Sequence, residues 1–279
     1  MYPLDGVRLK LSRAQKHLNA ANDMIDSFIA QNPYNFICEP NPTLPGWNVV
    51  AKVKQFVPDN DLGCIIGDFA HNARSALDHL VYQLSTLPPE DKGRYSLQFP
   101  IFDTIEGYRS KVKSYLSMVA SKYLTIIEGF QPYNRMDGFN NDALGFLRAI
   151  NDSDKHRTIH VVGAIATIKN LYFTPHMVGG KVLTSPGTTI TIGHGGFIDF
   201  SGFRYESVGD GIITKDCTEI GKIIVNMRMP TSMQMHPEPQ IMVKFGVGNP
   251  RIEGCPVMDT LTFIYDRVKE VVGRFEPFF

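Results

Sequence analysis

The sequence has no excess of either charge and no long hydrophobic run, and each absence excludes a class of protein. Lysine plus arginine and aspartate plus glutamate number 28 each, so the formal net charge is +0. A broad basic field, with which nonspecific nucleic-acid binders attract phosphates, is therefore excluded, and a nucleic-acid role requires a local basic patch. The longest near-continuous apolar run, Ile159 to Ile168, covers about half of the roughly 20 residues that a membrane span needs.

The chain also has few cysteines, and none of them is close enough to another to form a paired motif. The four cysteines, Cys38, Cys64, Cys217 and Cys255, form no C-x-x-C motif. This excludes a zinc knuckle, a thioredoxin-like motif and a small disulfide-rich secreted scaffold, and it predicts reduced thiols. The opening residues MYPLDGVRLKLSRAQ do not have the basic-then-apolar order of a signal peptide. We therefore expect a soluble cytoplasmic protein with no membrane partner.

The familiar catalytic and cofactor motifs are missing as well. The chain contains no G-x-S-x-G nucleophile elbow and no glycine-rich phosphate loop of the P-loop or Rossmann type. The glycines of TIGHGGF lie among strand-like runs and indicate a turn. No cofactor is predicted, and histidine and arginine remain as the candidate working groups.

Hydrophobic spacing predicts an α+β fold. Apolar residues recur at three- and four-residue steps in five segments, which we predict to be helices: Asp5 to Ala30, Gly67 to Leu84, Thr104 to Phe130, Asp142 onward, and Met258 to Phe275. We expect Asn140 or Asn141 to cap the fourth of these helices. The proline-rich segment Gln31 to Pro58 predicts an irregular connection followed by a strand at WNVVAKVKQFV.

From Lys169 the pattern changes to short alternating runs, which are typical of antiparallel strands: KVLTS, TTITIG, FIDFSGFRY, GIITK, KIIVNMRM and QIMVKFGV. We predict a helical bundle over residues 1–168 and a β-rich antiparallel insertion over 169–250. A C-terminal helix over 251–279 is expected to pack back on the bundle. The sequence leaves open whether these segments form one domain.

The central helix GDFAHNARSALDHLVYQL carries an unusual number of chemically active side chains. At about 100° per residue, His71, Arg74 and Asp78 form one polar row beside the apolar stripe. Asp68, Asn72, His79 and Gln83 form a row on its other side. Solvated helix faces usually carry Lys, Glu and Gln, which are better helix formers than Ser, Asn and His. The composition therefore favours a functional site, although an ordinary surface pair of Arg74 and Asp78 remains the alternative.

A second polar cluster follows at NDSDKHRTIH. It places Asn151, Asp154, Lys155, His156 and Arg157 directly after a buried apolar helix turn. We expect this cluster to face the central helix across the bundle and to bind the substrate together with Asn72. Asp152 and His156 have the i, i+4 spacing of metal ligands if the segment is helical, but the flanking cations would repel a metal. No metal is predicted.

Histidine with arginine can act on a phosphodiester without a metal, because imidazole transfers protons near neutral pH and guanidinium stabilises charge on phosphate oxygens. Arg74-Ser-Ala-Leu-Asp-His79 resembles the R-x(4–6)-H motif of the HEPN superfamily, helical-bundle proteins found in many prokaryotic toxin and defence ribonucleases. The resemblance implies that Arg74 and His79 are the catalytic pair, with Asp78 and His71 beside them, and that a homodimer brings two motifs to one cleft.

The combination of GD-x-x-HN-x-RSALDHL with N-x-x-DKHR also resembles a double signature of uncharacterised bacterial proteins of similar length. Three functions stay open at this point. The chain could be a metal-independent ribonuclease acting on RNA, or a binding protein or enzyme for a small anionic ligand that uses Arg74, Lys155, His156 and Arg157. In the third alternative the polar clusters are structural ion pairs that fix helix register.

Overall fold

The structure is a computed structural model that describes residues 3–92, 96–135, 138, 141–174, 181–183, 189–191, 203–225 and 234–279. It has the predicted α+β fold, with a strand-rich region before the C-terminal helix. The helices of the described residues are α1 (Asp5–Ala30), α2 (Asp59–Leu84), α3 (Pro89–Lys92), α4 (Ile105–Tyr115), α5 (Ser121–Gly129), α6 (Ala143–His156) and α7 (Val257–Phe275).

The strands are β1 (Tyr34–Pro40), β2 (Gly46–Val53), β3 (Val161–Thr174), β4 (Lys181–Leu183), β5 (Thr189–Thr191), β6 (Phe203–Ser207), β7 (Ile212–Ile213), β8 (Thr218–Val225) and β9 (Gln234–Phe245). The chain divides into two compact units. The helical unit comprises residues Met1–Met24, Asn60–His160 and Phe245–Phe279, and the strand unit comprises Ile25–Asp59 and Val161–Lys244. These units differ from the predicted segments 1–168, 169–250 and 251–279, because strands also form before α2 and β3 begins at Val161.

The core of the helical unit is built on the apolar stripe of α2. Ile66, Phe69, Ala73, Leu77 and Leu80 are all completely buried, as the three- and four-residue spacing predicts. Helix α6 packs on α7 in the same unit, with the rings of Phe146 and Phe263 edge to face at 6.4 Å. Burial of a continuous stripe fixes the rotation of each helix, and so fixes where its polar residues point.

Two close contacts bring α2 against the end of α6. A Cβ atom added at Gly63 would lie 2.5 Å from the carbonyl oxygen of Ile159, and one added at Gly67 would lie 2.0 Å from Oδ1 of Asp154. Both distances are far below van der Waals contact. The backbone oxygen of Ile159 cannot move aside, so this close approach requires glycine at position 63, whereas the contact at Gly67 is with the end of a flexible side chain that can turn away.

Several predicted boundaries in the helical unit were wrong. Helix α2 begins at Asp59 rather than Gly67. The predicted helix over 104–130 is two helices, because Met118 adopts a left-handed conformation with φ 57° and Val119 forms a β-bridge with Ser85. The cap of α6 is Asp142, whose carboxylate accepts hydrogen bonds from the amides of Leu144 and Gly145, and not Asn140 or Asn141.

The strand unit contains a four-stranded sheet in the order β1-β2-β8-β6 and a three-stranded sheet in the order β7-β3-β9, with β4 and β5 paired separately. Strand β1, which pairs antiparallel with β2, lies in a segment that was predicted to be irregular. Its proline, Pro40, is tolerated because β1 is an edge strand that ends there. The predicted strand residues 184–185, 188, 192–193, 197–202 and 226–229 lie outside the described residues, and so does most of the predicted turn TIGHGGF.

The Gly63 contact makes a direct prediction about stability. Gly63→Ala should lower the free energy of unfolding by about 1–3 kcal/mol, because the new methyl group meets a backbone oxygen that cannot rotate away. Gly273→Ala is the matched control: nothing lies within 4 Å of its added Cβ, so the better helix former should stabilise α7 by up to about 1 kcal/mol. Urea unfolding of both variants checks the pair, and equal stabilities would contradict it.

Candidate functional site

The first polar row of α2 contains an internally satisfied ion pair. The Arg74 guanidinium lies 3.1 Å from Oδ1 of Asp78, and its side chain is only 13% exposed. It also donates to the carbonyl oxygen of Phe99 and to Oε1 of Gln98, while Asp78 accepts the amide of Phe99 at 2.8 Å. The two side chains therefore attach the 98–99 segment to α2. These contacts are those of a structural network.

The second polar row of α2 lies against helix α1. His79 is exposed, and a Cβ added at Gly6 would lie 3.0 Å from its Nδ1 atom. Since Arg74 contacts the 98–99 segment and His79 contacts the start of α1, the two side chains face different parts of the helical unit. They do not converge within one chain, as their i, i+5 spacing predicts.

The second predicted cluster meets α2 at a different point. Residues Asn151 to His156 are helical and end α6, and Asp154 packs against Gly67, about 10 Å along α2 from Arg74. Asn151 is buried, whereas Lys155 and His156 are exposed. The two clusters therefore touch through Asp154, but Arg74 and Asp78 have other partners.

Arg157 and His71 lie near the contact between Asp154 and Gly67. The Arg157 guanidinium donates to the carbonyl oxygen of Gly248 at 3.2 Å, and the Arg157 backbone amide donates to the carbonyl oxygen of Ser153 at the end of α6. His71 is exposed, one turn beyond Gly67 on the same row. Neither residue lines a described cavity together with Arg74.

A groove with a volume of about 660 Å³ lies between α1 and α2 within the helical unit. We call it the α1–α2 groove. The residues that line it share polar or basic character, with one exposed leucine among them: Leu9, Lys10, Ser12, Arg13, Lys16, His17, Asp68 and Asn72. Of the predicted site residues, Asn72 alone is among them. The spacing of Lys10, Arg13 and His17 at i, i+3 and i+7 places these three on one face of α1.

The electrostatics of this groove differ from the neutral balance of the chain. Within the described part of the chain, Lys10, Arg13, Lys16 and His17 form no ion pair, and neither does Asp68. The Nδ2 group of Asn72 donates a hydrogen bond to the carbonyl oxygen of Asp68 at 2.8 Å. The groove thus combines three unpaired cations and a histidine with one carboxylate and one amide.

Sequence reasoning missed the α1 residues of this groove because a row of Lys and Arg on an amphipathic helix usually indicates a solvated face. The signal that could have found them was the second polar row of α2. The row of Asp68, Asn72 and His79 lies beside the buried stripe of α2, so another helix was expected to pack near it. Helix α1 comes first along the chain and was therefore the first candidate. Only the packing of the two helices shows that the rows meet.

Comparison with protein-family models, with curated protein sequences and with solved structures finds no match to this chain. Among the described residues, no group of three or more His, Cys, Asp or Glu side chains is arranged to hold a metal ion. Within the same residues, none of the helices has the length and apolar character to cross a membrane. The side-chain geometry of the helical unit therefore carries the functional reasoning.

The network at Arg74 predicts a stability effect. Arg74→Ala should lower the free energy of unfolding by about 3 kcal/mol, because it leaves Asp78 and the Phe99 carbonyl without their charged partner. His71→Ala, on the same row but exposed, should change it by no more than about 0.5 kcal/mol.

Chemical denaturation of both variants and of the double variant Arg74→Ala/Asp78→Ala measures the coupling. The double variant should lose clearly less than the sum of the two single variants. If Arg74→Ala is as stable as the wild type, the pair does not hold the 98–99 segment.

Proposed function

We propose that the helical unit binds a phosphate-bearing ligand of the ribonucleotide class, either a nucleotide or a short stretch of RNA, in the α1–α2 groove. The observation that supports this is the meeting of Lys10, Arg13 and Lys16, all without ion-pair partners in the described residues, in one groove. Cationic side chains without internal partners are the groups that phosphate oxygens recognise.

The shape and the remaining residues of the groove narrow the ligand class. A volume of about 660 Å³ lies within the range of small-molecule sites. The cations extend over about 9 Å of α1, from Lys10 to Lys16, which is more than one inorganic phosphate occupies. Asp68 would repel a phosphate but accepts hydrogen bonds from hydroxyl or amino groups. A ligand with both a phosphate and a ribose or base edge satisfies both sides of the groove.

Removal of the three cations tests this proposal. The triple variant Lys10→Ala/Arg13→Ala/Lys16→Ala should bind a fluorescently labelled oligoribonucleotide at least tenfold more weakly than the wild type. Each phosphate contact that is lost lowers the number of counterions released on binding, and this release contributes to the affinity. The slope of log affinity against log salt should become shallower in the same variant. Fluorescence anisotropy at several salt concentrations measures both quantities.

The chain offers a control matched in residue type. Arg109, Lys111 and Lys113 are exposed on α4, also one arginine and two lysines, and they do not line the groove. Their triple alanine variant removes the same charge and should keep wild-type affinity and salt slope. Equal losses in both triple variants would show a diffuse charge effect and would contradict a site in the groove.

A second candidate function is metal-independent cleavage of RNA, and one observation favours placing it in the same groove. Arg13 and His17 are one helical turn apart and both line the groove, whereas Arg74 and His79 do not converge. The His17 imidazole would take the proton of a ribose 2′-hydroxyl, whose oxygen then attacks phosphorus. The bond from phosphorus to the 5′-oxygen breaks, and that oxygen takes up a proton, so the products are a 2′,3′-cyclic phosphate and a 5′-hydroxyl.

The HEPN resemblance suggests a different arrangement of the same chemistry, in which Arg74 and His79 act across a homodimer. The two arrangements predict different effects of the same substitutions on RNA cleavage. Cleavage of RNA in excess EDTA should be abolished by His17→Ala and kept by His79→Ala if the groove acts alone. The reverse result would favour the dimeric arrangement.

Analysis of the cleavage products by gel electrophoresis and mass spectrometry measures the outcome. A wild-type protein that binds the oligoribonucleotide but leaves it intact in EDTA would refute the ribonuclease candidate and leave the binding proposal standing.

A further inference from the structure

The α1–α2 groove contains a carboxylate that phosphate binding alone leaves unexplained. Asp68 is the one acidic residue among the described residues that line the groove, and it is exposed. It forms no ion pair with the cations of α1 within the described part of the chain, although they line the same groove. A carboxylate accepts hydrogen bonds and donates none, so Asp68 is suited to a part of the ligand that carries donors.

The direction of the two helices gives the position of Asp68 along the groove. A Cβ added at Gly6, at the start of α1, would lie 3.0 Å from Nδ1 of His79, near the end of α2. Asp68 comes earlier in α2 and lines the groove together with residues between 9 and 17, which come later in α1. Helices α1 and α2 therefore run in opposite directions. Asp68 is as far from His79 in the sequence as His17 is from Gly6, so Asp68 lies near the level of His17.

This geometry separates two of the cations from the carboxylate. Lys10 and Arg13 lie about 10 Å and about 6 Å along α1 from the level of His17 and Asp68. Because the Debye length at physiological salt is about 8 Å, a phosphate on Lys10 is only weakly repelled by Asp68. The edge of the base is the part of a nucleotide that lies farthest from its phosphates. A nucleotide with phosphates on Lys10 and Arg13 therefore brings its base, and not its ribose, to Asp68.

The hydrogen-bonding edges of the four bases differ in how well they match a carboxylate. Its two oxygens pair best with two neighbouring donors, as they do with the guanidinium of arginine. Guanine carries two such donors, N1–H and the N2 amino group, with the acceptor O6 beside them. Adenine and cytosine present one amino group next to a ring nitrogen that accepts, and uracil presents one N–H between two carbonyl groups. Lys16, next to His17 in the sequence, is a cation near the level of Asp68 and can donate to O6.

We propose that the α1–α2 groove binds a guanine nucleotide, whose N1–H and N2 amino group donate to the carboxylate of Asp68. O6 of the base accepts from Lys16, and the phosphates lie on Lys10 and Arg13. The inference rests on the proposed binding of a phosphate-bearing ribonucleotide in this groove, and it adds the identity of the base. It makes Asp68 the specificity-determining residue, whereas the cations that bind phosphate contribute affinity for any nucleotide.

Isothermal titration calorimetry of the full-length protein with GTP and ATP compares two purine bases at equal phosphate charge. GTP should bind at least tenfold more tightly than ATP, because adenine places an acceptor against the carboxylate of Asp68 where guanine places a donor.

The substitution Asp68→Asn tests the contact by exchanging the preferred base. The amide keeps one oxygen for N1–H, but its N–H groups meet the N2 amino group of guanine, so GTP should bind at least tenfold more weakly than to the wild type. Xanthosine triphosphate has a carbonyl group in place of this amino group. The variant should therefore bind xanthosine triphosphate more tightly than GTP, which reverses the order of the wild type. The affinity for ATP should not fall.

The chain offers a matched control on the same helix. Asp61 is exposed, lies two turns before Asp68 on α2 and does not line the groove. Asp61→Asn removes the same charge, and this variant should keep the wild-type preference for GTP over both other nucleotides. Circular dichroism of both variants checks that the helices remain folded.

Two outcomes would overturn the guanine assignment and leave the proposed phosphate site standing. The first is equal affinity of the wild type for GTP and ATP. The second is an equal loss of GTP and ATP affinity in Asp68→Asn, which would place the ribose and not the base on Asp68. A wild-type protein that binds neither nucleotide nor the labelled oligoribonucleotide would overturn the proposed function and this inference together.

Discussion

Complete burial of the α2 stripe is the constraint on which the helical unit depends. Ile66, Phe69, Ala73, Leu77 and Leu80 have no exposed surface, so α2 cannot rotate without exposing large apolar groups at a cost of several kcal/mol. With the rotation fixed, one polar row must face the 98–99 segment and the other must face α1. The groove and the Arg74 network are therefore two consequences of the same packing.

This packing gives the two rows different roles. A partly buried arginine bound to a carboxylate and to a backbone carbonyl adds little net stability but penalises any other arrangement of the chain. The Arg74–Asp78 pair thus specifies where the 98–99 segment lies. The lysines and arginine of α1 have no such partners, and their charge remains available to a ligand. Within this unit, the groove that we propose as a binding site differs from the Arg74 network in its free charge and not in its density of polar residues.

The fold class and the bounds of α1 could be predicted because they depend on hydrophobic period, a local property. Strand β1 could not, since its proline-rich residues are ordered by pairing with β2 along the whole strand. The break between α4 and α5 likewise depends on a bridge from Val119 to Ser85, more than thirty residues away in the chain. For the site, the angular layout of α2 correctly predicted two polar environments. The proposal that the second row belongs to a ligand site depends on residues of α1, and the position of α1 beside this row is seen only in the folded structure.

Net charge near zero is compatible with anion binding because electrostatic recognition is local. The Debye length at physiological salt is about 8 Å, so a ligand in the α1–α2 groove responds to Lys10, Arg13 and Lys16 and hardly to distant acids. Composition therefore excludes a polyanion held over the whole surface, but it does not exclude a ligand of a few nucleotides held at one groove. Asp68, on the α2 side of the groove, also favours such a ligand over bare phosphate, because a carboxylate does not contribute to the binding of phosphate alone. The proposed ligand presents phosphates to α1 and hydroxyl or amino groups to α2, and it would therefore match the mixed charge of the groove.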